Sequence, residues 1–169
     1  MTSKHVAGPT LEEFEAARAT VAKVAQSTPM ETSRYLSSVL GSEVFLKCEN
    51  LQRTGSYKLR GAYNRLSQLT AEERAKGVIA ASAGNHAQGV ALAARELGIK
   101  ATIFMPLGVA LPKLEATREY GAEVVLAGNI FNESLKAAKE RATETGAIFI
   151  APFDHEHVIT RSEEHTSEL

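Results

Sequence analysis

Two short segments carry residue types able to do covalent or anion chemistry. One is Ser56–Tyr57–Lys58–Leu59–Arg60–Gly61, preceded by Thr54–Gly55; the other is Ser82–Ala83–Gly84–Asn85–His86–Ala87–Gln88–Gly89. A lysine amine forms a Schiff base with an aldehyde when it is desolvated or otherwise kept partly neutral. Residue type alone leaves Lys58 open between that role and an ordinary solvated helix lysine. The second segment falls where a strand gives way to a helix. Ser, Gly and Asn there leave backbone N–H groups exposed, and the helix N-terminus adds partial positive charge, so the loop can hold an anion. The other reading is a polar turn with an N-cap. Neither GxGxxG nor GxxxxGK[ST] occurs, so a dinucleotide or nucleoside triphosphate has no support.

The elements that must position these segments show in the periodicity. Thr10 and Glu13 have capping-box spacing, and Leu11, Phe14, Val21 and Val24 give a helical stripe, so a helix is expected from Thr10 to about Gln26. Residues 43–48 read as a strand, with Cys48 buried in it. A short helix is expected over 57–69, and Thr70 with Glu73 caps a further helical turn. From Gly77 the pattern becomes regular: strands at 77–81, 100–105, 123–126 and 147–150, and helices at 85–97, 112–120 and 131–145. Gly98, Gly121 and Gly146 each stand just past a helix and just before a strand. That cadence of about two dozen residues is the rhythm of βαβ units, and it predicts a parallel sheet of about four strands with no strand order specified. The segment before Gly77 does not join the rhythm, so it is assigned to a second domain.

Composition narrows the function classes. The chain is 44% apolar and 23% charged, with a net charge of −1. That suits a globular protein and offers no basic excess for nucleic acid. With one cysteine, a disulfide within the chain is excluded. No apolar run approaches the roughly 20 residues a membrane-spanning helix needs. The amino-terminal MTSKHVAGPT carries no apolar core of a signal peptide, which points to a cytoplasmic protein.

Together and in this order, the SYKLRG and SAGNHAQG segments resemble the fold-type-II pyridoxal-phosphate enzymes, and within them the serine/threonine dehydratase branch. The resemblance runs from about Leu11 to Val158. In the related cysteine and cystathionine synthases the lysine is typically followed by Asp-Arg and the loop reads like TSGNTG. Here Lys58 is followed by Leu59–Arg60–Gly61. The implied fold is the α/β, three-layer, tryptophan-synthase-β-like architecture with a parallel sheet. Residues 1–56 would begin the large domain, 57–152 would form the small domain, and 153–160 would return to the large one. The implied cofactor is pyridoxal 5'-phosphate, held by Lys58, with Tyr57 beside it (phenylalanine is more usual there) and Asn85 on its 3' oxygen. Ser82, Ala83, Gly84, Asn85 and His86 would form the substrate-carboxylate loop. His86 is either a direct ligand or a loop-ordering residue. Arg60 reads as structural, paired with a carboxylate, and Lys113, Glu115 and Thr117 as helix-surface or interdomain residues. No metal ligand set is expected, although Asp154, His155, Glu156 and His157 suggest one by eye.

The implied activity is deamination of L-threonine to 2-oxobutanoate and ammonia, the first step of isoleucine biosynthesis, with Lys58 as general base. The alternatives are an L-serine/threonine dehydratase or serine racemase of the same family. From another class comes a noncatalytic α/β protein that binds a small anion. The family's amino-acid substrate and homo-oligomeric state come with the resemblance. Its glycine-rich phosphate loop is absent from these 169 residues, so the chain is expected to be an inactive amino-terminal fragment. The final RSEEHTSEL resembles translated sequencing-adapter read-through, so 161–169 are expected to be artefactual.

Overall fold

The computed structural model describes residues 10–152. The readings placed on 153–160, on 161–169 and on the Asp154–His157 group lie outside them. Thr10 caps α1 (Leu11–Val21) through the full capping box: its hydroxyl accepts from the Glu13 N–H at 3.3 Å, and its own N–H donates to the Glu13 carboxylate at 2.6 Å. The helix ends before Gln26 because its last turn tightens. Lys23 N–H bonds Thr20 O at 3.4 Å and Val24 N–H bonds Val21 O at 2.9 Å. These three-residue steps swing Val24 inward beside Val21, and both are buried.

Two elements follow that the apolar pattern does not indicate. They are β1 (Met30–Thr32) and α2 (Arg34–Leu40), the latter capped by Ser33 and closed by Gly41 at φ 67°. Both are too short to show a period. β1 pairs antiparallel with β2 (Phe45–Lys47), Met30 opposite Lys47. Cys48 falls just past β2 and is half-buried, not buried in the strand. A 3-10 turn (Glu49–Leu51), α3 (Lys58–Ser67) and α4 (Ala71–Lys76, with its Thr70–Glu73 box) lead into the regular part.

That part is β3 (Val78–Ala81), α5 (Asn85–Glu96), β4 (Ala101–Met105), α6 (Leu111–Glu119), β5 (Glu123–Leu126), α7 (Phe131–Thr145) and β6 (Ile148–Phe149). The four strands are parallel in the order β5-β4-β3-β6. The chain steps from β3 outward to β5, then returns past β3 to β6. Right-handed crossovers require the returning helix to take the opposite face. Accordingly Val78, Ala80, Ile103 and Met105 share a core with α5 and α6, while Ile79, Ala81 and Phe104 pack with Ala138 and Ala142 of α7. The result is three layers, helices on both faces of a parallel sheet. On the α5 side, α3 forms an outer layer through Leu59, Ala62 and Leu66, joined by Val21 and Val24 from the amino-terminal segment.

Two contacts fix α3. The first is its approach to α5. A Cβ built on Gly89 would lie 2.9 Å from the Lys58 carbonyl carbon and 3.0 Å from its oxygen. The second is a buried fork. Arg60 donates from Nε to Glu49 Oε2 and from Nη2 to Glu49 Oε1, both at 2.9 Å, and the Thr28 hydroxyl donates to Oε1 at 2.6 Å. The side chains of Arg60 and Glu49 are only 8% and 10% exposed, so their charges depend on each other.

Gly89→Ala tests the first contact. On an open helix surface the change gains about 1 kcal/mol. Here the added methyl meets main chain that cannot rotate away, and overpacking costs about 1–3 kcal/mol. A lower urea midpoint is expected; an unchanged or raised midpoint would show that α3 and α5 separate freely. For the fork, Arg60→Met should destabilise by about 3–5 kcal/mol, since it leaves a buried carboxylate. Replacing both charges (Glu49→Leu with Arg60→Met) should recover most of that loss in the same denaturation series.

Candidate active site

The segment leading to Lys58 is held by side chains that replace regular pairing. Gln52 accepts from the Gln26 N–H and donates to the Gln26 carbonyl, both at 2.9 Å. Tyr120 donates its hydroxyl to Arg53 O at 3.0 Å, and Arg53 pairs with Glu96 at 2.7 Å. Gly55 then turns the chain at φ 68°. Ser56 is buried, and its hydroxyl has no hydrogen-bond partner among the described residues. Such a group costs about 1–3 kcal/mol unless something polar meets it.

Lys58 is the first residue of α3 and is half-buried. Its Nζ donates to the Pro152 carbonyl at 3.2 Å and lies 5.0 Å from the centre of the Tyr57 ring. Pro152 stands just beyond β6. Its neighbour across the sheet is β3, whose carboxyl end opens into Ser82–Gly84. The strand order reverses between these two strands. Lys58 therefore sits at the topological switch point, where open α/β sheets bind their ligands.

The loop at that point is built for negative charge. Ser82 N–H extends the β3–β4 ladder to Phe104 O at 3.1 Å. Gly84 N–H is taken by the Ser82 hydroxyl at 3.2 Å. α5 then begins with no side-chain cap. The first-turn N–H groups of Asn85, His86 and Ala87 have no acceptor within the helix. Asn85 is exposed, and its side chain makes no hydrogen bond among the described residues.

His86 turns inward. Its Nε2 lies 3.2 Å from Ile150 O, and since a carbonyl only accepts, the ring carries its proton on Nε2. Burial pushes its pKa down to about 4; the carbonyl bond opposes the shift, and the charge of Lys58 reinforces it. The ring is neutral at physiological pH and ties the loop to the end of β6.

The geometry thus brings Lys58, with Tyr57 beside it, and the 82–86 loop to the carboxyl ends of β3 and β6. It makes Arg60 a partner of Glu49, as expected, and Arg53 a tie to α5. The carbonyls of Ile150 and Pro152 escape sequence reasoning, because backbone acceptors carry no residue signal. Gly89 lies inside the motif, but its task shows only once α3 is seen against it. A separate groove of 510 Å³, lined in part by Lys76, Lys100, Glu123 and Arg141, opens at the amino-terminal ends of the strands on the α7 face and holds none of these groups.

A primary amine beside an anion-holding helix end suits a ligand that is both electrophilic and negatively charged. Comparison with known proteins gives the same answer. Residues 21–168 match the family model described as pyridoxal-phosphate dependent enzyme. The chain is 53% identical over 150 residues to a protein named L-threonine ammonia-lyase from Thermotoga maritima, covering 89% of this chain and 37% of the relative. It is 49% identical to a catabolic L-threonine dehydratase of Staphylococcus aureus, covering 88% and 43%. The structure of processed threonine deaminase isoform 2 from Solanum lycopersicum superposes with a TM-score of 0.82 at 40% identity, covering 96% of this chain and 50% of that one. The chain thus spans about half or less of the length of these relatives. With a lysine at the switch point and a family match that takes in both motifs, the chain belongs to the pyridoxal-phosphate-dependent enzymes.

Proposed function

We propose that the whole protein is a threonine ammonia-lyase, converting L-threonine to 2-oxobutanoate and ammonia. The observation that carries this reading is Lys58 Nζ at the switch point beside the uncapped end of α5, in a chain 53% identical to a protein named for that activity. Residues 57–152 are assigned to the small domain and 1–56 to the large one. The phosphate loop is assigned to sequence outside this chain, so activity belongs to the whole protein.

The residues present fit pyridoxal phosphate. Lys58 offers the amine, Tyr57 a ring beside it, and Asn85 an unengaged amide. Ser56 offers a buried hydroxyl in need of a partner. Bound there, the group supplies an electron sink for the charge left at Cα. Lys58 takes the α-proton, because its amine is the basic group held in the crevice. The loop of Ser82, Ala83, Gly84, Asn85 and His86 receives the substrate carboxylate and aims the Cα–H bond; the Ser82 and Gly84 N–H groups are already engaged within the fold, so the N–H groups of Ala83, Asn85 and His86 are the donors. His86 serves as a tether, its neutral imidazole bonded to Ile150 O.

L-Serine is the nearest alternative substrate; the names of the two relatives favour threonine. A cytoplasmic homo-oligomer that feeds isoleucine formation extends the same reading. The Staphylococcus aureus relative, named catabolic, argues for the opposite pathway. Inhibition of the whole protein's L-threonine turnover by isoleucine, expected of the biosynthetic role and not of the catabolic one, separates the two.

Purified with pyridoxal phosphate, the whole protein should show a visible absorbance band that Lys58→Ala abolishes. Turnover of L-threonine should fall by roughly 10²–10⁴-fold from the lost proton transfer alone. A colourless wild type, or a Lys58→Ala variant with full activity, would sink the assignment. His86 makes a separate prediction about pH. Its folded pKa of about 4 lies below the 6.5 of a free imidazole. Between these values the unfolded chain binds more protons, so stability should fall as pH drops from 6.5 towards 4. Denaturation midpoints of wild type and His86→Gln, measured across that range, check it: the wild type should lose more. Parallel slopes would show that the folded ring protonates freely.

A further inference from the structure

Lys113 has a placement that local stability does not explain. It is the third residue of α6, in a first turn with no acidic residue, and α6 has no side-chain cap. A cation there faces the positive end of the helix dipole, which costs about 0.3–1 kcal/mol. No ion pair offsets this among the described residues. Its neighbours Leu114 and Thr117 are buried, and with them α6 is packed on α5. That packing brings the Lys113 stem across the loop: a methyl built on Gly84 would lie 3.9 Å from Lys113 Nζ. Lys113 is exposed, so its ammonium is open to solvent beside the loop.

We propose that Lys113 is the cation that draws the amino-acid carboxylate onto the 82–86 loop. The inference rests on the functional reading above and adds to it a residue from a different helix. The loop offers only backbone dipoles and a neutral imidazole, so a carboxylate arriving there finds no full charge on the loop itself. Lys113 supplies one at the loop's edge. Its charge lies within the roughly 10 Å over which exposed charges act at 0.1 M salt. It takes part in capture and not in the chemical step, so it governs substrate affinity and not turnover of bound substrate.

The test uses the whole enzyme with its cofactor, as wild type, Lys113→Gln, Lys113→Arg and Lys113→Glu. Steady-state kinetics on L-threonine are run at low and high salt. Binding of L-alanine, which has the carboxylate but no β-hydroxyl to lose, is followed by its shift of the visible band. Lys113→Gln should raise KM and the L-alanine Kd by about 5–20-fold at low salt, with kcat within about twofold. The gap should shrink at 1 M salt, where screening acts within about 3 Å. Lys113→Arg should restore affinity, and Lys113→Glu should weaken it further. The proposal is overturned if Lys113→Gln binds L-alanine like wild type, if kcat falls in step with the loss of affinity, or if the cofactor band itself is lost. A wild type with neither band nor threonine turnover overturns the functional reading, and the role of Lys113 with it.

Discussion

The close approach of α3 to α5 at Gly89 is the constraint on which the site depends. With no side chain at Gly89, the main chain of Lys58 rests directly against α5. Gly89 and Asn85 are four residues apart on one helix, which is a rise of about 6 Å. One contact therefore sets both the packing of α3 and the distance from Lys58 to the anion-holding end of α5. The small residues along α5 serve the same end. Ala87, Ala91, Ala93 and Ala94 are all buried, so the helix lies close to the sheet on one side and to α3 on the other. A larger side chain at position 89 would move the lysine and the loop apart in one step.

The sheet supplies the second coordinate. Because the strand order reverses beside β3, the loop after β3 and the end of β6 face each other with no crossover helix between them. Two side chains close that gap from the same direction. Lys58 reaches Pro152 O and His86 reaches Ile150 O, each at 3.2 Å. These acceptors are two residues apart on one extended segment, and the donors come from two helices already locked at Gly89. Backbone acceptors thus hold Lys58 and His86 to the end of β6, while Asn85 and the first turn of α5 are left unengaged.

Much of this was legible in the sequence. The regular alternation after Gly77 marked every strand of the parallel sheet, because β3 is apolar throughout, β4 is apolar but for Thr102, and Gly98, Gly121 and Gly146 mark helix ends at positive φ. The strand order was not legible, since a βαβ rhythm constrains handedness and not which edge a strand joins. β1 and α2 stayed hidden for a different reason. They bury few or no side chains among the described residues, so selection on core packing leaves no period to read. Glu49 was hidden because nothing in a lone glutamate says that Arg60 and Thr28 will enclose it. Of the residues named from resemblance, Lys58 and His86 both reach the segment after β6, and the groups that hold them are backbone carbonyls and a glycine.

Charge placement separates the residues kept for stability from those kept for use. Glu12 and Glu13 stand in the first turn of α1, and Glu72 and Glu73 in that of α4, where the helix dipole favours them. Arg60, a cation in the first turn of α3, is answered by Glu49 at 2.9 Å. Lys58 and Lys113 also stand in first turns, and neither has a carboxylate partner among the described residues. Lys58 settles for a carbonyl, and the exposed Lys113 ammonium has no acceptor among the described residues. Local rules give way where function needs a different arrangement. Arg34, at the start of α2, also stands in a first turn without an ion pair among the described residues, but on a helix that buries no side chain; of the first-turn cations, Lys58 and Lys113 are the two that approach the 82–86 loop, one against α5 and one across Gly84 from α6. On the proposed reading, the loop's partial charges and these two whole ones form a single field directed at an anion, and the neutral His86, bonded to Ile150 O, adds no charge to it.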